Sequence, residues 1–254
     1  MLLSFNSLAK VGLNAAVAPF GLQVTRRASH DWSDTRNFIP LEETLIAAAR
    51  AGLSVGDYVD GVMNKIPGAT QATMDGLVRL GVFSQPLSTV VEIGPGTGRY
   101  LEKTIAMCSP KRYEIYETSQ PWASYVAAKN GVISRPTDGR SLRQTVDASA
   151  DLVHAHKVFS TIPFVATCAY WAEMARVTKQ GGYVAFDIMT ESCLDTETLR
   201  RWAASGVDNG TYPAAMPRQV AIDYFSDHSF ELVGSFLVPM GAGKTEVLAF
   251  RKSV

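Results

Sequence analysis

The stretch Val90-Val91-Glu92-Ile93-Gly94-Pro95-Gly96-Thr97-Gly98-Arg99-Tyr100 sets three glycines at alternate positions, two residues after a carboxylate. Glycines let a backbone approach a ligand closely and aim the amides of a following helix at it. That pattern alone serves several ligands. A dinucleotide fingerprint needs a further glycine at position 99, where Arg99 stands. Glu92 would also repel a pyrophosphate and favour a ligand bearing an ammonium.

A positive amino-acid head joined to a nucleoside, as in S-adenosylmethionine, meets that charge requirement better than NAD does. Glu117, nineteen residues beyond Gly98 and followed by Thr118, closes the next strand. An acid at that position can accept hydrogen bonds from ribose hydroxyls. Asp138-Gly139, after a third strand, can accept from an adenine amine, although Asp-Gly pairs also make ordinary Asx turns. The expected cofactor cradle is therefore Glu92, Gly94, Pro95, Gly96, Thr97, Gly98, Glu117, Thr118, Asp138 and Gly139.

A sulfonium methyl is already activated, so its transfer needs alignment and, for a hydroxyl acceptor, a base. His154-Ala155-His156-Lys157 ends the fourth strand beside that cradle. His156, just past the strand, is the expected general base, with an unperturbed pKa near ~6.5. A packed-loop histidine is the plain alternative, and for His154 a core role is the stronger reading. Lys157 can orient a substrate carboxylate or phosphate. Asp187 or Glu191, at the end of the fifth strand, can steer His156 or bind substrate hydroxyls. Two histidines and these acids do not make a convincing metal site, so no metal is expected.

These residues need a scaffold, and the hydrophobic pattern supplies one. From Pro86 onward, strands Ser88–Ile93, Tyr113–Glu117, Val132–Arg135, Asp151–Ala155 and Tyr183–Ile188 alternate with helices. A short helix is expected at Ser141–Val146 and a long one at Phe164–Lys179, with Gly181-Gly182 turning the chain into the fifth strand. Such spacing means crossover connections and a mainly parallel sheet covered by helices on both faces. Glu231–Val238 and Glu246–Arg251 read as a terminal β-hairpin. Ahead of the sheet, Leu41–Ala51, Ser54–Lys65 and Gln71–Leu80 read as three short helices. The expected division is a helical arm and cap over residues 1–85 and a sheet domain over 86–254, the cap roofing the acceptor pocket. Trp32, Phe38 and Tyr58 line that pocket or anchor the cap.

Val91-Glu92-Ile93-Gly94-Pro95-Gly96-Thr97-Gly98, Glu117, Pro136-Thr137-Asp138-Gly139, Ala150-Asp151-Leu152-Val153 and Gly181-Gly182-Tyr183-Val184 together resemble the successive motifs of class I S-adenosylmethionine-dependent methyltransferases. The resemblance runs from about Pro86 to the C-terminus. It implies an α/β, Rossmann-like, seven-stranded sheet of order 3-2-1-4-5-7-6. It also implies that Gly94, Gly96 and Gly98 wrap the methionine part, with Glu117 at the ribose and Asp138 at the adenine. Asn14–Arg27 is similar to leader segments of bacterial methyltransferases linked to surface-glycan synthesis, a lean toward sugar hydroxyls.

Composition narrows the remainder. Twenty-four basic side chains balance twenty-four acidic ones and 46% of residues are hydrophobic, which excludes wholesale disorder and argues against a nucleic-acid binder. Three cysteines without C-x-x-C spacing suit a reducing, cytoplasmic setting. No apolar run is long enough to span a bilayer. Residues 1–30 carry Lys10, Arg26 and Arg27 but no acid, and their apolar residues fall at helical spacing. That amphipathic helix is expected to pack on the body or on a second copy, with weak membrane-surface contact as the other option. Gly241-Ala242-Gly243-Lys244-Thr245 imitates a phosphate loop, but Val238 occupies the place of its first glycine. The expected function is O-methylation of a small molecule or sugar/glycan precursor. Alternatives are methylation of nitrogen or carbon, or a noncatalytic binding module on the same fold.

Overall fold

A computed structural model describes residues 39–205, 214–240 and 243–254, without the side chains of 201, 202 and 205. The expectations for the amphipathic arm, Trp32 and Phe38 lie outside the described residues. All described residues belong to one compact unit, Trp32–Val254.

The elements are α1 (Leu41–Arg50), α2 (Val55–Tyr58) running into a π-helical turn (Val59–Met63), α3 (Ala69–Arg79), β1 (Thr89–Ile93), α4 (Arg99–Cys108), β2 (Arg112–Tyr116), α5 (Gln120–Asn130), β3 (Ile133–Ser134), β4 (Ala150–Ala155), α6 (Phe164–Val177), β5 (Thr178–Ile188), α7 (Thr196–Ser205), α8 (Arg218–Asp227), β6 (Phe230–Met240) and β7 (Gly243–Lys252). The strands form one sheet of order β3-β2-β1-β4-β5-β7-β6. β1 to β5 run parallel, and β7 is antiparallel to both β5 and β6. The Rossmann-like order expected from the sequence is the one observed.

Each face of the sheet carries its own apolar layer. Val91, Ile93, Val153, Phe186 and Phe250 meet Trp171 of α6 and Phe225 of α8 on one face. Val90, Ile115, Leu152 and Ala185 meet Leu101 of α4, Trp122 of α5 and Met74 and Leu77 of α3 on the other. The helical segment ahead of the sheet thus shares the second core. α3 achieves close contact through Gly76, where a Cβ would lie 2.2 Å from the Phe236 ring of β6. A helix-interior glycine costs about 1 kcal/mol, which the partly buried ring packed against it offsets.

Some local expectations need correction. Residues 141–146 form a turn, not a helix. Leu142 N–H donates to Glu173 at 2.7 Å and the Thr145 hydroxyl to Glu114 at 2.6 Å, so the segment is tied to α6 and β2. Gly181-Gly182 does not precede the fifth strand but sits in an irregularity inside it. Thr178 pairs with Ala150 and Tyr183 with Leu152, leaving the residues between looped out. Helices α7 and α8, between β5 and β6, were not announced by the sequence pattern. Among the described residues no helix is long and apolar enough to cross a membrane.

Candidate active site

The glycine loop lies between β1 and α4, where the parallel topology directs the carboxyl ends of strands toward one edge. Gly94, Gly96 and Gly98 all have positive φ, at 62°, 51° and 81°. A Cβ on Gly94 would lie 2.6 Å from Val158 Cγ2, so that glycine is required by contact as well as by conformation. At Gly96 a Cβ would meet nothing within 4 Å, so the loop presents bare backbone to open space there. Gly98 starts α4 with no side-chain cap. First-turn amides without a capping side chain are the donors that anionic and polar ligand groups use. Pro95 and Thr97 are buried in the walls of this bend.

Glu117 leaves the end of β2 toward the same bend. Its two oxygens accept from Gly96 N–H and Ser119 N–H, each at 2.8 Å. Burial nevertheless pushes its carboxyl above the ordinary value, against the pull of those amides. Thr118 hydrogen-bonds to it, and Gly139 would bring a Cβ within 3.7 Å of the Thr118 methyl. The loop after β3 therefore reaches the end of β2. Asp138 itself is exposed, and its carboxylate accepts from the Arg140 and Ser141 amides at 3.0 and 2.8 Å. This is the Asx-turn geometry that an Asp-Gly pair makes by default. Tyr170 of α6, which sequence reasoning missed, is hydrogen-bonded to Thr137 beside that loop.

Glu92 sits deeper than its place in the motif suggests, only 1% exposed. The Tyr113 hydroxyl lies 2.7 Å from Glu92 Oε2 and 2.8 Å from His154 Nε2. Burial pushes the Glu92 carboxyl up to about 8, so in the free protein it is mostly protonated at neutral pH. The carboxylate expected from the sequence to face an ammonium is thus mostly a protonated carboxyl in the free protein. Tyr113 was also missed; only the β1–β2 register puts it on the face of Glu92.

His156 follows β4 on the same face. Its side chain is buried, its ring centroid lies 4.6 Å from that of Tyr100, and neither ring nitrogen has a hydrogen-bond partner. Burial lowers its pKa to about 4, so the ring is neutral at physiological pH. Asp187 Oδ1 stands 3.9 Å from His156 Nδ1. Asp187 also accepts from Lys157 N–H at 2.6 Å and the Thr245 hydroxyl at 2.5 Å, and pairs with Lys157 Nζ at 3.0 Å. Burial pushes Asp187 up, but Lys157, His156 and the Thr245 hydroxyl outweigh it and hold the carboxyl below its ordinary value. Lys157 itself adopts φ 62°, a strained value for a side-chain-bearing residue. Glu191 is engaged elsewhere, accepting from Arg218 N–H at 3.0 Å.

The segment before the sheet reaches the site through one ion pair. Asp60, in the π-helical turn, accepts from Arg99 at 2.7 Å and from the Thr70 amide and hydroxyl at 2.8 and 3.0 Å. The Arg99 guanidinium lies 5.1 Å from the Tyr100 ring centroid. Arg99, first read as the residue that spoils a dinucleotide motif, therefore pins the start of α4. Among the described residues no group of three or more His, Cys, Asp or Glu side chains could hold a metal ion.

Residues 91–186 match a family described as a methyltransferase domain. Solved structures agree on the fold. N-methyltransferase NodS from Bradyrhizobium japonicum WM9, in complex with S-adenosyl-l-homocysteine, is 17% identical, with 72% of this chain and 86% of that chain covered and a TM-score of 0.54. An O-methyltransferase family protein from Burkholderia thailandensis is 16% identical, with 96% and 83% covered and a TM-score of 0.56. Magnesium protoporphyrin IX methyltransferase from Synechocystis PCC 6803, with bound S-adenosylhomocysteine, is 12% identical, with 72% and 81% covered and a TM-score of 0.55. A search of curated proteins finds no match.

Proposed function

We propose that the protein transfers the methyl group of S-adenosylmethionine to a hydroxyl oxygen of a small molecule or sugar/glycan precursor. The cradle suits that cofactor: a bare bend at Gly96, an uncapped start to α4, and buried acids at Glu92 and Glu117. In this reading Glu92 and the loop of Gly94, Pro95, Gly96, Thr97 and Gly98 take its amino-acid end. Glu117 and Thr118 take the ribose, and Asp138-Gly139 border the adenine. When bound, the cofactor supplies an electrophilic methyl that needs no further activation.

The observation that carries the choice of oxygen is His156. A buried ring with two unmet nitrogens costs about 1–3 kcal/mol per nitrogen unless a ligand completes it. One nitrogen of the neutral ring donates and the other accepts, which matches an acceptor hydroxyl plus a neighbouring oxygen. His156 takes the hydroxyl proton as the oxygen becomes nucleophilic, and Asp187 at 3.9 Å stabilises the resulting imidazolium. Lys157 and Asp187 hold the turn behind it. The glycan lean rests on the leader-like segment Asn14–Arg27.

The test is a panel of hydroxyl, amine and carbon acceptors incubated with isotopically labelled cofactor and read by mass. A labelled methyl on oxygen supports the reading. Labelling confined to nitrogen or carbon acceptors, or no cofactor binding at all, overturns it. His156→Ala should lower turnover while cofactor affinity holds; loss of cofactor affinity with turnover unchanged removes its role as base.

A further inference from the structure

Glu92, Tyr113 and His154 form a buried hydrogen-bonded cluster, with Thr104 also beside Tyr113, whose protons take no part in the proposed transfer to the acceptor. Glu92 and His154 are each 1% exposed, and Tyr113 is 4% exposed. Glu92 Oε2 and His154 Nε2 both lie within hydrogen-bond distance of one Tyr113 oxygen, at 2.7 and 2.8 Å, and 3.9 Å from each other. β1, β2 and β4 are adjacent strands, so the cluster crosses the sheet's centre under the glycine loop.

The Tyr113 hydroxyl has a single hydrogen, which couples its two neighbours. If Glu92 is ionised, Tyr113 donates to it, and His154 must carry its proton on Nε2 to donate to the Tyr113 oxygen. If Glu92 is protonated, it can donate to Tyr113, which donates in turn to an unprotonated His154 Nε2. The charge of Glu92 and the tautomer of His154 are therefore coupled: an ionised Glu92 requires Nε2–H on His154, whereas a protonated Glu92 also permits the other tautomer. The other titratable groups facing the cluster are Glu117 at the end of β2, His156 at a ring-centroid distance of 5.3 Å from His154, and Cys108 at the end of α4. Burial pushes Cys108 up to about 11 and His156 down to about 4, so both are neutral near pH 7. Burial also holds His154 well below the ordinary histidine value, so it does not store the proton.

We propose that Glu92, Tyr113 and His154 act as one proton-linked unit of the cofactor site: docking of a cationic amino-acid end expels one proton from the Glu92 carboxyl and settles His154 in its Nε2–H tautomer. The bond broken is the Glu92 O–H. The proton leaves to solvent, and the ammonium replaces it as the positive partner of the carboxylate. Tyr113 and His154 are positioning residues, acting through Glu92. This inference rests on the proposed cofactor.

The experiment is calorimetric titration of the full chain with S-adenosylhomocysteine, which keeps the ammonium but cannot react, in phosphate and in Tris at pH 7. Because free Glu92 is held at about 8, the buffer dependence should report about 0.9 proton released. Affinity should rise about ninefold from pH 6 to pH 7 and about fivefold from pH 7 to pH 8. Glu92→Gln should remove both the release and the slope. Tyr113→Phe, which deletes the hydroxyl that favours the ionised form, should move the midpoint of the slope upward; a merely structural Tyr113 would leave it in place. In ¹⁵N-histidine spectra, ligand should switch one buried ring to Nε2–H. Binding whose heat is independent of buffer, or release that persists in Glu92→Gln, overturns the proton link and leaves the cofactor reading standing. Absence of any binding overturns both. The wild-type buffer dependence decides the matter even if a variant does not fold.

Discussion

Asp187→Asn tests the polar end of the site most severely. The substitution removes one charge from a pair in which Asp187 is 1% and Lys157 13% exposed. At 3.0 Å and an effective dielectric constant near 20, the attraction is about 5 kcal/mol. Breaking one side of a buried pair, with the other charge left stranded, typically costs about 3–5 kcal/mol. For a chain of this size that lowers the melting temperature by about 6–20 °C. Lys157→Met should cost less, because the Thr245 hydroxyl and the Lys157 amide still serve the carboxylate. The double variant has no stranded charge, so it should return to within about 2 kcal/mol of the wild type. Urea titration of all four proteins gives the coupling. Asp187 also faces His156, so the double variant should be folded yet slow. Additive losses in the cycle would show that Asp187 does not hold Lys157.

His156→Gln should lower turnover by about 10²–10⁴ in an acceptor assay. The same variant probes stability: folded His156 sits at about 4, below its unfolded value, so the unfolded chain binds the extra proton. Stability is therefore full above about pH 6.5 and is lost as pH falls toward 4, by about 3 kcal/mol from this group. Denaturation of wild type and His156→Gln at pH 7 and pH 4.5 should show the wild type losing more. Gly94→Ala meets both a φ of 62° and Val158 at 2.6 Å, and should cost about 2–4 kcal/mol. Adding Val158→Ala should recover the contact part but not the backbone part, measured by the same denaturation. Asp138→Asn keeps the oxygen that accepts the Arg140 and Ser141 amides, so it should leave stability within about 0.5 kcal/mol by thermal melting. A fall in S-adenosylhomocysteine affinity in that variant would place Asp138 at the ligand.

Burial explains which parts of the site could be read early. Gly94, Gly96 and Gly98 were legible because a bend of positive φ at the start of a helix restricts residue type strongly. The strand order was legible through a resemblance, since alternating strands and helices alone allow several orders. Residues 141–146 were misread because the carboxylate of Glu173 and the acceptor at Glu114 come from distant parts of the chain. The role of Arg99 was invisible for the same kind of reason: its partner, Asp60, is thirty-nine residues away.

Local patterning in the chain was enough to set the α/β alternation, the terminal hairpin, the glycine bend and the placing of Glu92 in β1 and Glu117 just after β2. Those follow from local rules, in which hydrophobic period, glycine freedom and turn chemistry act over a few residues. Only the tertiary structure decided that Glu92 is a buried carboxyl bound to Tyr113 and that His156 is neutral and unpartnered. It alone decided that Asp187, not Glu191, stands beside that ring. Charge state and partnership depend on what surrounds a group, and the surroundings here come from β1, β2, β4, β5 and β7 brought side by side.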